Sequence, residues 1–370
     1  CMEALEQAEL VTELRRQPYR EFRFRHDLIR QAAYDGLLAD TRTQWHQQAG
    51  RALMSFYGEQ ASQHAGRLAH HFRLGSEWDP ATKYLLIAAR KARAVYSNLE
   101  AIELLSSALE LAEQVEDERR NRYQYDILKE RAAVLDLVGR TQEEAADLDH
   151  MARLCQEQGS ASQTAEVSLL QSDFALRTGK LEQALRLAQR SKQLYEETNE
   201  LPGQGRALGA LGTALGRLGN LEESRDKMEE AFSIFAELDD RASEAAIRKG
   251  LGTAYARLGS LDQAVEHYGG ALRLYRGLQN RRGESEILGN LGSLHYMRAD
   301  YEEAIESFVQ AQQLFHDLGN VRNEAKCTNN VGLSYAALGD YQKSLELHEQ
   351  AGKLYRQVGD DASMANALSN

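Results

Sequence analysis

VGLSYAALGDYQKSLELHEQAGKLYRQVGD, residues 331–360, is the stretch from which the rest of the chain can be read. Gly332 is followed by Tyr335, Gly339, Tyr341, Ala351 and Tyr355, at three, seven, nine, nineteen and twenty-three residues. Stepping back by 40 residues meets related residue types at each position. The first column reads Ala132, Ser172, Gly212, Gly252, Gly292, Gly332. The second reads Leu135, Ala175, Leu215, Tyr255, His295, Tyr335, and the third Gly139, Gly179, Gly219, Gly259, Ala299, Gly339. Nine residues after the first column come Thr141, Leu181, Leu221, Leu261, Tyr301 and Tyr341. The last two columns read Met151, Ser191, Ala231, Ala271, Ala311, Ala351 and Cys155, Tyr195, Phe235, Tyr275, Phe315, Tyr355. Six copies hold this register without a gap at these positions.

Each column has a physical reading. The small residues mark where two helices approach closely. The Gly of the third column ends a helix, because Gly enters the left-handed region at little cost. The Leu or aromatic two residues later covers the turn, and the large residue near the end fills the gap to the next copy. Apolar spacing of three and four within each half is helical. One helix pair cannot bury its apolar face, so neighbours must stack. The expected fold is all-α, a solenoid of helical hairpins.

This pattern resembles the tetratricopeptide repeat (TPR), most fully at Gly332, Tyr335, Gly339-Asp340-Tyr341, Ser344, Ala351 and Tyr355. The common unit has about 34 residues; the period of 40 is similar to that of kinesin light chains, the spindle adaptor LGN and many bacterial regulators. The resemblance implies a right-handed TPR α-solenoid; it covers roughly 120 to 370, and the copy around Ala132 departs most. Ala89, Ala92, Ala101, Ala108 and Ala112 suggest an earlier, degenerate pair, with Asp79-Pro80 as the start of its first helix. Residues 43 to 75 read as one or two more helices.

The first 45 residues differ. Leu10 to Leu14 and Glu21 to His26 read as two strands, with period-two alternation in Phe22-Arg23-Phe24-Arg25. A helix is expected from Asp27 to Leu38, its apolar stripe Leu28, Ile29, Ala32, Ala33 and Leu37. The segment FRFRHDLIRQAAYDGLL at 22–38, Trp45-His46 and LAHHF at 68–72 resemble the region after the ATPase core in STAND signal-transduction NTPases. That resemblance implies the end of a winged-helix-like domain and an NTPase domain upstream in cis. The expected divisions are 1–45 for the winged-helix-like remnant, 46–120 for linking helices and the degenerate pair, 121–360 for six TPR units, and 361–370 for the start of a seventh. With Cys1 before Met2 and Asp361 to Asn370 aligning with Val321 to Asn330, the expectation is a fragment of a larger protein.

Composition narrows the chemistry. The 370 residues are 42% hydrophobic, which is enough for a core, and the net charge of −12 disfavours bulk nucleic-acid or anionic-membrane binding. No apolar run is long enough to cross a bilayer, and CMEALEQAEL is no secretory signal. Cys1, Cys155 and Cys327 form no CxxC pair; Cys155 and Cys327 read as small core residues, and a cytoplasmic setting fits. Gly179-Lys180 and Gly352-Lys353 are each followed by Leu, so neither is a phosphate-binding loop, and no catalytic motif is present. No catalytic residue, cofactor or metal is expected. His64 and His71, two turns apart on one expected helix, could suggest a metal, yet with His70 they read as packing or surface histidines. His26 reads as a structural hydrogen-bonding residue. Arg15, Arg16, Arg20, Arg23 and Arg25 make a basic hairpin: a wing touching DNA, a solvated face, or a docking surface for an ATPase. Nucleic-acid binding is not expected.

The candidate site is the concave groove. In tetratricopeptide repeat arrays the first helices line the concave face, so the resemblance implies that positions six, three and two residues before the small column, and one, four and five after it, face inward. Five after it stand Arg177, Arg217 and Arg257, then Met297 and Ala337. Two before it stand Asn290 and Asn330, at a place that resembles the peptide-backbone-holding Asn of TPR proteins. Arg206, Lys249, Tyr296 and Asn329 are expected on the same wall. The arginines have two readings: recognition of an acidic peptide, or favourable placement at the C-terminus of their own helix, about 0.3–1 kcal/mol each. The expected function is a protein- or peptide-binding module, the sensor arm of a multidomain signalling NTPase. A scaffold of LGN type and the repeat arm of a transcriptional activator are the alternatives.

Overall fold

The computed structural model describes residues 2–15 and 21–369. The chain divides into two compact units, 1–157 and 158–370.

The first unit opens with α1 (Met2–Gln7), a short helix that the strand pattern did not announce, then β1 (Val11–Arg15) and β2 (Glu21–Phe24). The strands pair antiparallel, Val11 opposite Phe24 and Glu13 opposite Phe22, with an irregularity between Glu13 and Arg15. Then follow α2 (Asp27–Asp35), α3 (Ala39–Tyr57), a 3-10 helix (Gly58–His64), α4 (Ala65–Leu74), α5 (Trp78–Ala94), α6 (Asn98–Ala112), α7 (Asp117–Val138) and α8 (Thr141–Gln158). Consecutive helices from α3 to α7 pack on one another. The five alanines expected in the degenerate pair are all buried in α5 and α6. Its first helix starts at Trp78 behind Glu77, so Asp79-Pro80 lies in the first turn and does not cap it. Pro is tolerated there because first-turn N–H groups have no partner within the helix. The Arg131 guanidinium forks onto the buried Asp147 carboxylate at 2.8 and 2.6 Å, tying α7 to α8.

Helix α2 corrects an expectation. It ends at Asp35, and none of its residues is buried; Leu28 is 80% exposed. Of its apolar stripe, Leu28, Ala32 and Ala33 are exposed and Ile29 is half-buried. The basic hairpin lies partly outside them, at Arg16 to Arg20, as does Cys1. Of the remainder, Arg25 is paired with Glu9 at 2.9 Å and reaches Thr12. His26 occupies the N-cap position of α2 and makes no side-chain cap bond. His64 and His71 do not share a helix: His64 ends the 3-10 turn and stacks on Tyr57, with ring centroids 3.7 Å apart.

The second unit is an α-solenoid. Its helices are α9 (Ala161–Arg177), α10 (Leu181–Glu197), α11 (Leu201–Leu218), α12 (Leu221–Glu237), α13 (Arg241–Arg257) and α14 (Leu261–Gly277). They continue as α15 (Arg281–Met297), α16 (Tyr301–Asp317), α17 (Val321–Ala337), α18 (Tyr341–Gln357) and α19 (Asp361–Ser369). Seventeen-residue helices and three-residue turns produce the period: after α13, residues 258–260 are the turn. In that turn Ser260 N donates to Tyr255 O at 2.9 Å and Gly259 N to Ala256 O at 3.2 Å. This is the Schellman pattern, with Gly259 at φ +81°. The backbone period is 20, half the sequence period. Asn199, Asp239 and Gln279, which end second helices, also lie at positive φ.

The small column does what its spacing implies, and its partner is a second column sixteen residues on. A Cβ on Gly212 would come within 2.6 Å of Met228, on Gly252 within 2.5 Å of Tyr268, and on Gly292 within 2.7 Å of Phe308. Small residues here let a large side chain of the second helix lie flat on the first. Ala231, Ala271, Ala311 and Ala351 are fully buried, as are Tyr195 and Phe235 from the closing column. Tyr341 departs from its column: it is 73% exposed and does not cover its turn. Cys155 and Cys327 are buried and in no disulfide, as expected.

Candidate functional site

The first helices α11, α13, α15 and α17 and the large residues of α12 and α16 enclose a groove of about 580 Å³. All six inward positions expected from the register contribute. Six before the small column are Ala246, Glu286 and Lys326; three before are Lys249 and Gly289; two before are Gly250, Asn290 and Asn330. After the column come Thr213 and Thr253, then Gly216, then Arg217 and Arg257. The floor is apolar, from Met228, Phe308, Phe315 and Cys327. Burial pushes the Cys327 thiol up to about 12, so it stays protonated and inert.

Five of the nine expected site residues line this groove: Arg217, Lys249, Arg257, Asn290 and Asn330. Four do not. Arg177 sits 5.7 Å from the Phe174 ring centroid on its own helix. The Arg206 guanidinium lies 6.0 Å from the Tyr195 ring. Tyr296 packs edge-on to Tyr301, with centroids 5.5 Å apart. Asn329 Oδ1 meets His348 Nδ1 at 2.9 Å, so this amide faces the second helix of its own hairpin. One residue of register separates it from Asn330, and on a helix that is about 100° of rotation.

The two groove arginines cap helices, but not their own. Arg217 Nη1 donates to Leu176 O at 2.7 Å, and Arg257 Nη1 to Gly216 O at 2.5 Å. Each acceptor is a last-turn carbonyl of the preceding first helix that also accepts the N–H of its own turn, Leu176 O from Gly179 N at 3.3 Å and Gly216 O from Gly219 N at 3.2 Å, so the arginine is its second donor. The ladder thus staples α9 to α11 and α11 to α13, and stops where Met297 and Ala337 take the register. A guanidinium has five N–H donors. One is spent on the carbonyl, which anchors the group at the groove edge.

Sequence reasoning missed Glu286, Lys326, Asn323, Thr213, Thr253 and Gly289. Glu286 and Lys326 stand in an inward column already named, so the signal was present. Asn323 is nine before the small column, a place the register had not flagged. Lys249 Nζ bonds Glu286 at 2.8 Å, and Arg282 reaches the other carboxylate oxygen at 3.2 Å. Burial opposes the Glu286 charge, but the two cations outweigh it and hold its pKa below the usual carboxylate value. Among the described residues, the side chains of Asn290, Asn323, Asn330 and Lys326 have no hydrogen-bond or ion-pair partner. The groove therefore offers free amides and a free ammonium at one end and oriented guanidinium groups at the other. No helix among the described residues is long and apolar enough to cross a membrane. No group of three metal-ligating side chains is assembled among them.

Residues 163–237 and 243–317 match the family model "Tetratricopeptide repeat", and residues 292–370 match "Soluble NSF attachment protein, SNAP". The chain carries tetratricopeptide repeats. No curated protein matches it in sequence. Among solved structures, the apo form of RapI superposes with a TM-score of 0.60 at 12% identity, over 75% of this chain and 98% of that one. A STAND protein with a tetratricopeptide repeat sensor, PH0952 from Pyrococcus horikoshii, gives 0.59 at 14% identity, over 100% of this chain and 57% of that one. A Rap protein complexed with competence and sporulation factor gives 0.57 at 12% identity, over 89% and 95%. At these identities the likeness is one of fold.

Proposed function

We propose that this chain is a recognition module that binds a peptide, or an extended segment of a protein, in the groove between α11 and α17. The observation that carries the reading is the set of free amides, Asn290, Asn323 and Asn330, beside the free Lys326. An amide both donates and accepts, which suits a peptide main chain. Four cations against one carboxylate favour an acidic ligand. The sensor-arm role takes its support from the STAND protein of Pyrococcus horikoshii, whose solved chain aligns with all of this one. On that reading an NTPase domain in cis reads out the arm, and the ligand must prefer one state of the arm to shift it.

Gly289 supplies the test. A Cβ placed on it meets nothing within 4 Å, so a side chain there grows into the groove and not into the core. Replacing a mid-helix Gly also removes its penalty of about 1 kcal/mol. Gly289→Trp is expected to keep the fold and to lose ligands. The measurement is a pull-down with wild type and variant, read by mass spectrometry, followed by titration of any partner that differs. Identical partner sets on a folded variant would overturn the groove as the site.

A further inference from the structure

We infer that Glu286 is an internal competitor: its carboxylate occupies the Lys249 ammonium that an acidic ligand side chain would otherwise take, and so sets the threshold for acidic ligands. The inference rests on the groove reading proposed above. Glu286 is the single acidic residue among those lining the groove, and it stands in the middle of it. Its two oxygens are engaged separately, Oε2 by Lys249 on α13 and Oε1 by Arg282 on its own helix. The Lys249 contact crosses from one first helix to the next, so it lies in the path of any ligand running from Asn330 to Arg217. Both partners are about one-third exposed, at 36% and 32%, which leaves the pair open to exchange with a ligand from the groove side. An incoming carboxylate has the same charge and reach as the one already there. It must displace Glu286 from Lys249, and Arg282 then retains the displaced group. Ligands with a neutral residue at that point meet no such exchange and leave the bridge intact.

The experiment uses the whole chain and a phage-displayed library of random peptides. Peptides kept for study are those bound by wild type and lost on Gly289→Trp. Glu286→Gln frees Lys249 and removes one negative charge. It is expected to tighten the acidic members of the set by about two- to fivefold, the scale of a partly exposed ion pair. Neutral members should not change. Adding Lys249→Met to Glu286→Gln should abolish the gain. Equal affinities of acidic peptides for wild type and Glu286→Gln would overturn the inference while leaving the groove reading in place. So would a gain that survives Lys249→Met. If no selected peptide is lost on Gly289→Trp, the groove reading falls and this inference with it. Thermal unfolding of each variant shows that the binding comparison is made on folded protein.

Discussion

Arg217 and Arg257 each do two things with one side chain, and that limits what substituting them can reveal. Arg257→Met would take from Gly216 O its second donor, leaving Gly219 N at 3.2 Å, as well as remove a groove cation. The lost hydrogen bond is expected to cost about 0.5–1.5 kcal/mol, measured by urea unfolding. A weaker ligand would then be ambiguous, which is why Gly289 is the better probe. An unchanged stability would mean that the carbonyl is as well served by Gly219 N and water. Ala299 makes the opposite case. It holds the left-handed position with φ +63°, where the equivalent turns have Gly259 and Gly339. Ala pays about 1 kcal/mol in that region and Gly does not. Ala299→Gly is expected to stabilise the chain by about that amount, again by urea unfolding; a loss of stability would mean that the methyl group packs more usefully than its surroundings suggest. The arginine column was legible in the sequence and its acceptor was not. Leu176 and Gly216 accept through backbone carbonyls, and any residue type supplies one.

At the scale of the element, the turns explain why the repeat could be read so well and why half of it stayed hidden. Gly marks the turns within hairpins, so a period of 40 stands out. The turns between hairpins have the same conformation, built from Asn199, Asp239 and Gln279 in three of them and from Gly159, Gly319 and Gly359 in the others, so that column shows no single residue type. Sequence cannot show a backbone repeat that different side chains tolerate. Helix α2 was misread for a related reason. Its periodicity is truly amphipathic, but periodicity says which face is apolar and not whether anything covers it. What ties α2 to α3 is polar. Tyr34 Oη meets His46 Nε2 at 3.0 Å, and His46 Nδ1 meets His71 Nδ1 on α4 at 3.0 Å. Two ring nitrogens that close share one proton, so one must accept. Burial, then neighbouring His70, lowers the pKa of His46, and burial, then His46, His70 and Arg67, lowers that of His71. The neutral forms are thus favoured in the folded state, and falling pH below about 6.5 works against the network. Hydrogen exchange in α2, corrected for its intrinsic pH dependence, is expected to quicken as pH falls to about 5. Tyr34→Phe should show the quickened exchange already at neutral pH. Exchange in α2 that ignores both changes would mean the tie is idle.

At the scale of the whole molecule the same sign recurs in both units. Burial is the leading cause that lowers the pKa of His46, His71 and His150 in the first unit and of His267 and His348 in the second. His348 fills the column of Met228, Tyr268 and Phe308, lying over Gly332. His267 stacks on Tyr255 with ring centroids 5.2 Å apart, and its Nε2 is 3.9 Å from the Glu229 carboxylate, too far to offset burial. A group whose pKa is lower folded than unfolded binds its proton first in the unfolded chain. Stability therefore rises with pH through that interval and is flat above it. The expected profile is level at neutral pH and falls once pH drops below about 6.5, the value of an unperturbed His. Glu286 and Asp240, held below their usual values by cations and by Ser243, add a second fall where free carboxylates protonate, near about 4. Urea unfolding across this range checks the profile. His348→Phe, which restores the aromatic of its column, should reduce the first fall in the second unit and leave the second fall unchanged. A profile that stays level down to the carboxylate range would mean that the buried imidazoles are solvated well enough to titrate as they do in the unfolded chain.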